Sequence, residues 1–473
     1  MKKIFSFYNN LSTPLKASFW FLFCNLVQKG ISFISTPIFT RLMTKEEYGI
    51  YNTYLSWENI IIIFASLNLG AGVFNNALIK YKGKENEYTS SMQGLTTVLT
   101  LVVMGVILSF GNFFSNLMEV PIYVLILLTF ELIFMPAMSF YMARERFEYR
   151  FKSVVLITIF LSISILFSGI GAVVLFDDKV SAKIISYIIV QSFFCGIIYI
   201  NNFIKGRKFF DKEYWIFALK FNLPLLPHYL SYIILSTSDR IIIKQMVGDA
   251  EAGIYSLAYN VGMILNIFIN AITSVFTPYI YKELNDKRYK NIEKVSISIL
   301  LFILIPLIGI VLVAPEIVLI MGGKDYLDAI YIIPPVVLGT FVYLIYSFFS
   351  TIEFYLEKTL FVMLGTVSAA IINIVLNLIF IPVFGYFAAG YTTLISYLFL
   401  VIIHYIFMRK IFKNRIYNIK KMSVISFLAF LAVFIILSIY SFSIIRYGIL
   451  LGIVVLLIIL RKKYMYLQEI FLF

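Results

Sequence analysis

The sequence predicts an all-α polytopic membrane protein of about fourteen transmembrane helices, in two pseudo-symmetric six-helix lobes followed by two C-terminal helices. Composition is the first of three observations behind this class: 61% of the 473 residues are hydrophobic and 14% are charged, against roughly 45–50% and about 25% in soluble domains. The second is that apolar windows of about 20 residues, the helical length that crosses a ~30 Å hydrocarbon core, recur along the chain with no soluble domain between them. The third is an internal repeat. Glu47-Tyr48-Gly49-Ile50-Tyr51 returns 204 residues later as Glu251-Ala252-Gly253-Ile254-Tyr255, and Ile185-Ser186-Tyr187 returns 210 residues later as Ile395-Ser396-Tyr397. Each match falls at the corresponding place in a six-span half, and an even number of spans per half gives the two halves one orientation.

In chain order the predicted spans cover residues 15–41, 49–79, 88–111, 121–143, 151–176, 181–204, 217–247, 251–281, 292–314, 327–353, 359–381, 386–408, 422–440 and 443–460. The first follows Lys2, Lys3 and Lys16, lacks a small-residue cleavage site and is too long for a signal-peptide core, so it is expected to be retained. Pro224 and Pro227 remove backbone donors from span seven and are expected to bend it. The repeat divides the chain into an N-lobe at 1–205, a C-lobe at 206–410 and a final region at 411–473. Lys and Arg fix the orientation: 29 fall on one side, including the N-terminal three and Arg461, Lys462 and Lys463, and 8 on the other, leaving Lys29 and Lys220 within spans. The positive-inside rule then places both termini in the cytoplasm. The formal charge of +14 is thereby spread over short loops, unlike the basic face of a nucleic-acid binder. Cys24 and Cys195 lie in apolar segments without metal or disulfide spacing and read as packing residues.

Ionisable groups at mid-membrane cost about 2.5–3.5 kcal/mol each on insertion scales, so they normally face a cavity or a partner. Asn25, Lys29, Ser32 and Thr36 follow a 3.6-residue stripe on span one. Lys29 either snorkels or pairs with a carboxylate for structure, or lines a wetted cavity, and the stripe favours the cavity. Asn266, Asn270 and Thr273 repeat that spacing on span eight, as do Tyr346, Ser350 and Glu353 on span ten; such stripes also serve as interhelical glue. Asp239 and Arg240 are neighbours about 100° apart on span seven, so Arg240 shares a face with Ser236 and Lys244, and Asp239 with His228 and Tyr232. The pair is either a set of structural ion contacts or, on the Arg240 side, an anion-binding group acting with Lys29. Glu58, Glu131, Asp239 and Glu353 are candidates for ion coupling or charge balance, with Na+ or H+ as the coupling ion, no other cofactor and no metal. His228 and His404 stand alone in their spans and read as packing residues.

Thr40-Arg41-Leu42-Met43-Thr44-Lys45-Glu46-Glu47-Tyr48-Gly49-Ile50-Tyr51 resembles the first periplasmic turn of the Wzx-type polysaccharide or O-antigen flippases, in the polysaccharide transporter branch of the MOP superfamily. Pro224-Leu225-Leu226-Pro227-His228, Asp239-Arg240 and Gly253-Ile254-Tyr255 look like that family's seventh span, and Asn377-Leu378-Ile379-Phe380-Ile381-Pro382 with Gly385, Ala389 and Ile395-Ser396-Tyr397 like its eleventh and twelfth. The resemblance covers nearly the whole chain. It implies a MATE-like, MOP-type fold of two six-helix lobes around a central cavity, in a bacterial cell inner membrane. It further implies flipping of undecaprenyl-diphosphate-linked oligosaccharide, of O-antigen or capsule type, from the cytoplasmic to the periplasmic leaflet by ion-coupled alternating access, alongside polysaccharide assembly proteins. Lys29 and Glu58 match no family motif and rest on the residue argument alone. A drug or toxin exporter of the same fold would bind amphipathic cations, which Lys29 and Arg240 disfavour. A glycan polymerase or ligase is an enzyme that needs substantial outward loops, and here these are roughly 4 to 15 residues long and carry no catalytic motif.

Overall fold

The computed structural model describes residues 13–70 and 73–460; Lys2, Lys3, Arg461, Lys462 and Lys463, which contribute to the predicted orientation, lie outside the described residues. Among the described residues the secondary structure is helical, the helices joined by short turns. In order the helices are α1 (Thr13–Leu42), α2 (Lys45–Ser66), α3 (Val73–Lys80), α4 (Glu85–Ser109), α5 (Gly111–Met118), α6 (Ile122–Phe147), α7 (Phe151–Leu175), α8 (Lys179–Gly206) and α9 (Lys212–Asn222). They continue with α10 (Leu226–Met246), α11 (Asp249–Gly262), α12 (Ile264–Asn285), α13 (Tyr289–Leu312), α14 (Ala314–Met321), α15 (Ile333–Tyr355), α16 (Thr359–Phe384), α17 (Phe387–Ile411), α18 (Ile419–Ser438) and α19 (Ser443–Leu460). Among the described residues ten helical segments are long and apolar enough to cross a membrane: α4, α6, α7, α8, α11 with α12, α13, α15, α16, α17 and α18. This is a multi-pass membrane protein. The other four predicted spans are helical too, as α1, α2 with α3, α9 with α10, and α19; Lys29, Glu58, Asp239 and Arg240 dilute the first three.

Of the predicted spans that are divided into two helices, the second and the seventh are divided where their breaks can meet. Residues 49–79, expected as one helix, divide where Leu67 and Asn68 take left-handed φ of 47° and 51°. Span seven divides where expected: α9 ends at Asn222, a 3-10 turn occupies Leu223–Leu225, and α10 starts with Pro227 in its first turn, where the missing N–H costs nothing. The two breaks meet. Buried Asn222 donates through Nδ2 to the carbonyl of Leu67 at 2.9 Å, filling a backbone acceptor that membrane interior would otherwise leave unsatisfied.

The chain forms two compact units, Met1–Ser256 with Leu356–Thr392, and Leu257–Tyr355 with Thr393–Phe473. In the first, α10 packs along α2 and α16, and α8 packs against α6 and α7. Its apolar core includes Tyr54, Leu128, Leu132 and Ile188 in one cluster and Phe74, Tyr88 and Phe140 in another. In the second, α13 packs on α12 and α18, and α15 on α12, α13 and α18, with the Phe276 and Phe348 rings 5.0 Å apart.

The repeated pentapeptide has a structural role inside the first unit. Thr44 opens α2 with a capping box, its side chain accepting from Glu47 N while Glu47 accepts from Thr44 N, which satisfies two orphan donors. The starts of α2 and α11 then pass so closely that a Cβ on Gly49 would lie 1.9 Å from Asp249 O, and one on Gly253 would lie 2.3 Å from Lys45 O. The glycines of the two repeats are each other's clearance.

Candidate functional site

Asp239 organises the most connected polar network of the first unit. It sits on α10 at 1% exposure. Its Oδ1 accepts from Asn377 Nδ2 at 2.7 Å and its Oδ2 from the Tyr255 hydroxyl. Asn377 is held in turn, its Oδ1 accepting from Thr392 Oγ1 and its Nδ2 reaching Asn373 Oδ1 at 3.4 Å. Ser238 donates to Asn373 Oδ1 at 3.3 Å. One carboxylate, two amides and three hydroxyls thus converge from α10, α11, α16 and α17, all in buried positions. Two donors, Asn377 Nδ2 and the Tyr255 hydroxyl, hold one buried carboxylate, and a proton or a hard cation bound there would have to re-aim them. Asn373, Asn377, Thr392 and Tyr255 were not among the predicted site residues. Their signal was present in the Asn373/Asn377 spacing of i, i+4 on an apolar helix.

Arg240, the neighbour of Asp239, is nearly buried and donates to Ser236 O at 3.3 Å. Lys244, on the same face, is bridged to Glu119 at 3.0 Å and Asp249 at 3.3 Å. On α1, Lys29 is exposed together with Asn25 and Ser32, while Thr36 is buried. The hydroxyls of Ser32 and Thr36 donate to carbonyls of their own helix. Among the described residues no carboxylate forms an ion pair with Lys29. A cation presented outward from a membrane helix needs water or an anion.

Glu58 on α2 and Glu131 on α6 lie within electrostatic reach of each other in the first unit. Glu58 accepts from the Tyr187 hydroxyl at 3.2 Å. Both oxygens of Glu131, at 0% exposure, lack a hydrogen-bond partner among the described residues. In the second unit, Asn270 is exposed and Asn266 and Thr273 are half-buried on α12, Thr273 donating to Ile269 O at 2.9 Å. Glu353, on α15, is fully buried and 2.7 Å from Nδ1 of His404 on α17. The reading of His404 as a residue standing alone is therefore corrected: helix pairing brings it a carboxylate. His228 is also placed against a polar group, its Nδ1 lying 2.9 Å from Thr366 Oγ1.

Comparison with known proteins bears on the family and the fold of the chain. The family model for polysaccharide biosynthesis proteins matches residues 15–284. An uncharacterized membrane protein of Haemophilus influenzae is 24% identical over 360 residues, covering 73% of this chain and 85% of that one. A capsular polysaccharide biosynthesis protein, CapF, of Staphylococcus aureus is 26% identical over 286 residues, covering 58% of this chain and 67% of that protein. Among solved structures, lipid II flippase MurJ in an inward closed conformation superposes with a TM-score of 0.73 at 16% identity, over 93% of this chain and 98% of that one. At that identity the likeness is one of fold.

Proposed function

Since the chain belongs to the polysaccharide biosynthesis protein family, we propose that it is a flippase for an undecaprenyl-diphosphate-linked oligosaccharide, of O-antigen or capsule type, working in a bacterial inner membrane beside polysaccharide assembly proteins. The observation that carries the reading is the family match over residues 15–284 in a chain whose fold parallels that of a lipid II flippase over 93% of its length. Lipid II and the proposed substrate share one chemical problem, a charged, sugar-bearing headgroup that must pass hydrocarbon. Moving such a headgroup unescorted is far costlier than burying one protein charge. Lys29, outward on α1, is the first cation for the diphosphate, and Arg240 on α10 is the second.

Asp239 is a coupling carboxylate in this reading, with Na+ or H+ as the driving ion. It is supported by burial and by the donors Asn377 and Tyr255 that hold it, Asn377 being linked in turn to Asn373 and Thr392. Fourteen spans, two six-span repeats at 1–205 and 206–410, and cytoplasmic basic loops complete the proposal. The repeat is supported by the loops after α6 and α15: Tyr149 and Glu357, 208 residues apart, take the same left-handed φ of 56° and 57°, each just before a basic residue. A transporter of this kind is not an enzyme.

The test is a reconstituted flipping assay with a fluorescent undecaprenyl-diphosphate disaccharide. Lys29→Ala and Arg240→Ala are each expected to slow flipping about tenfold or more, the scale of one lost hydrogen bond to a charged group. Wild-type rates in both variants would remove these residues from the mechanism, and efflux of cationic dyes in place of lipid flipping would replace the reading with drug export.

A further inference from the structure

The loops after α6 and α12 share one device. In each, a glutamate ends the helix, the residue four positions on is left-handed, and the next is an arginine that turns back to bind that glutamate. Glu145 accepts from Arg150 at 2.9 Å and Ser153 at 3.0 Å around Tyr149 (φ 56°). Glu283 accepts from Arg288 at 2.7 and 3.0 Å and Asn291 at 2.7 Å around Lys287 (φ 57°). The loop after α15 has the same spacing, Glu353, left-handed Glu357 and basic Lys358. There the glutamate does something else. Glu353 turns inward to His404, both side chains are at 0% exposure, and Lys358 is exposed with no carboxylate within 4 Å among the described residues.

Two atoms of this buried dyad are left over. Glu353 Oε1 and His404 Nε2 have no hydrogen-bond partner among the described residues, although a buried unpaired polar atom costs about 1–3 kcal/mol. The flanking titratable groups do not supply one. Tyr346 of α15 packs its ring edge-on to His404 at 4.7 Å; Tyr405 of α17 faces Phe349; Tyr417, ahead of α18, donates to Phe348 O. Glu283 of α12 is held by Arg288 and Glu293 of α13 by Asn418, and among the described residues the side chain bonded to Glu353 is His404.

We propose that Glu353 and His404 form a proton-binding site, loaded with one proton in this conformation and discharged when Oε1 and Nε2 meet water at the loop end of α15. With one proton between them the dyad is either carboxyl and neutral imidazole or carboxylate and imidazolium, and both are net neutral, the state that burial favours. Discharge moves that proton to water as hydronium and leaves carboxylate and neutral imidazole; reloading reverses it. Coupling of this site to transport rests on the flippase reading; its protonation does not.

The chain contains two histidines, so 15N-histidine solid-state NMR of the full-length protein in bilayers isolates His404 once His228→Gln removes the other signal. The His404 ring signal is expected to respond to pH, and Glu353→Gln is expected to alter that response. A His404 signal that is invariant with pH, or that responds identically without the carboxylate, overturns the site. In the flipping assay, a transmembrane pH gradient should speed the wild type several-fold. Glu353→Gln and His404→Gln should each lose that factor and keep the gradient-free rate, the double variant should be no worse than either single, and the exchanged pair Glu353→His with His404→Glu should regain part of it. Either single variant retaining the full gradient response, or a wild type that flips without responding to the gradient, overturns the coupling. A wild type that flips nothing overturns the flippase reading instead, and the NMR result then decides the dyad alone.

Discussion

Asp239 is a carboxylate whose two oxygens are both engaged, by Asn377 and by Tyr255, so removing its charge and removing its neighbours should be separable. Asp239→Asn keeps the size and a hydrogen-bonding oxygen; the variant is expected to remain folded and to lose the several-fold stimulation of flipping by the ion gradient. Tyr255→Phe should cost less, because Asn377 remains. Ion-gradient dependence measured in the same liposomes checks both, and a driven Asp239→Asn protein refutes the assignment. A second residue-scale expectation concerns Glu316 on α14, which accepts two hydrogen bonds from Arg446 at 2.7 and 2.8 Å and one from Tyr447 at 2.8 Å. The Arg446 guanidinium holds its carboxyl below the usual range. A lowered folded-state value means that the stabilisation is present above the unfolded pKa, about 4.3, and is lost as pH falls through the folded value. The thermal-stability difference between wild type and Glu316→Gln should therefore be largest at neutral pH and fade in acid; a difference that is flat with pH contradicts the bridge. At this scale the sequence was legible for single side chains and not for partners. Helical-wheel arithmetic separated Asp239 from Arg240, but no spacing within α15 or α17 tells that Glu353 faces His404, since that depends on how two helices pack.

The elements were legible wherever hydrophobicity alone decides, and less so where backbone geometry does. Span two hid its break because Leu67 is apolar and nothing in a hydropathy window registers a left-handed φ. The span-seven break was visible because proline carries its constraint in its covalent structure. The repeated Gly-Ile-Tyr was visible as a pattern, but its meaning was not: Gly49 and Gly253 are where α2 and α11 cross. Gly49→Ala would set a methyl 1.9 Å from a backbone carbonyl that cannot rotate away, so the helices must separate. Gly49→Ala and Gly253→Ala should each destabilise by about 1–3 kcal/mol, and the double variant should cost less than the sum because both changes force one separation. Thermal unfolding in detergent measures this; an unchanged transition in either single variant contradicts the crossing.

For the whole molecule, the membrane class and the helical order followed from composition and window length, and the family match agrees with the resemblance carried by Thr40–Tyr51, Asp239-Arg240 and the Asn377–Pro382 run. The compact units were not legible. α10 and α16 come from the second half of the chain yet pack in the unit that holds α2, because compactness follows long-range packing while the repeat follows sequence offset. The central claim, that the chain moves a diphosphate-linked glycan lipid between leaflets, is tested most directly by comparing two fluorescent probes in one reconstituted preparation. The two carry the same undecaprenyl chain and disaccharide, one through a diphosphate and the other through an uncharged linkage. The account predicts protein-dependent flipping of the diphosphate probe, at least about tenfold faster than the uncharged one, with that preference lost in Lys29→Ala. Equal rates for the two probes, or no protein-dependent flipping of the diphosphate probe, would contradict it.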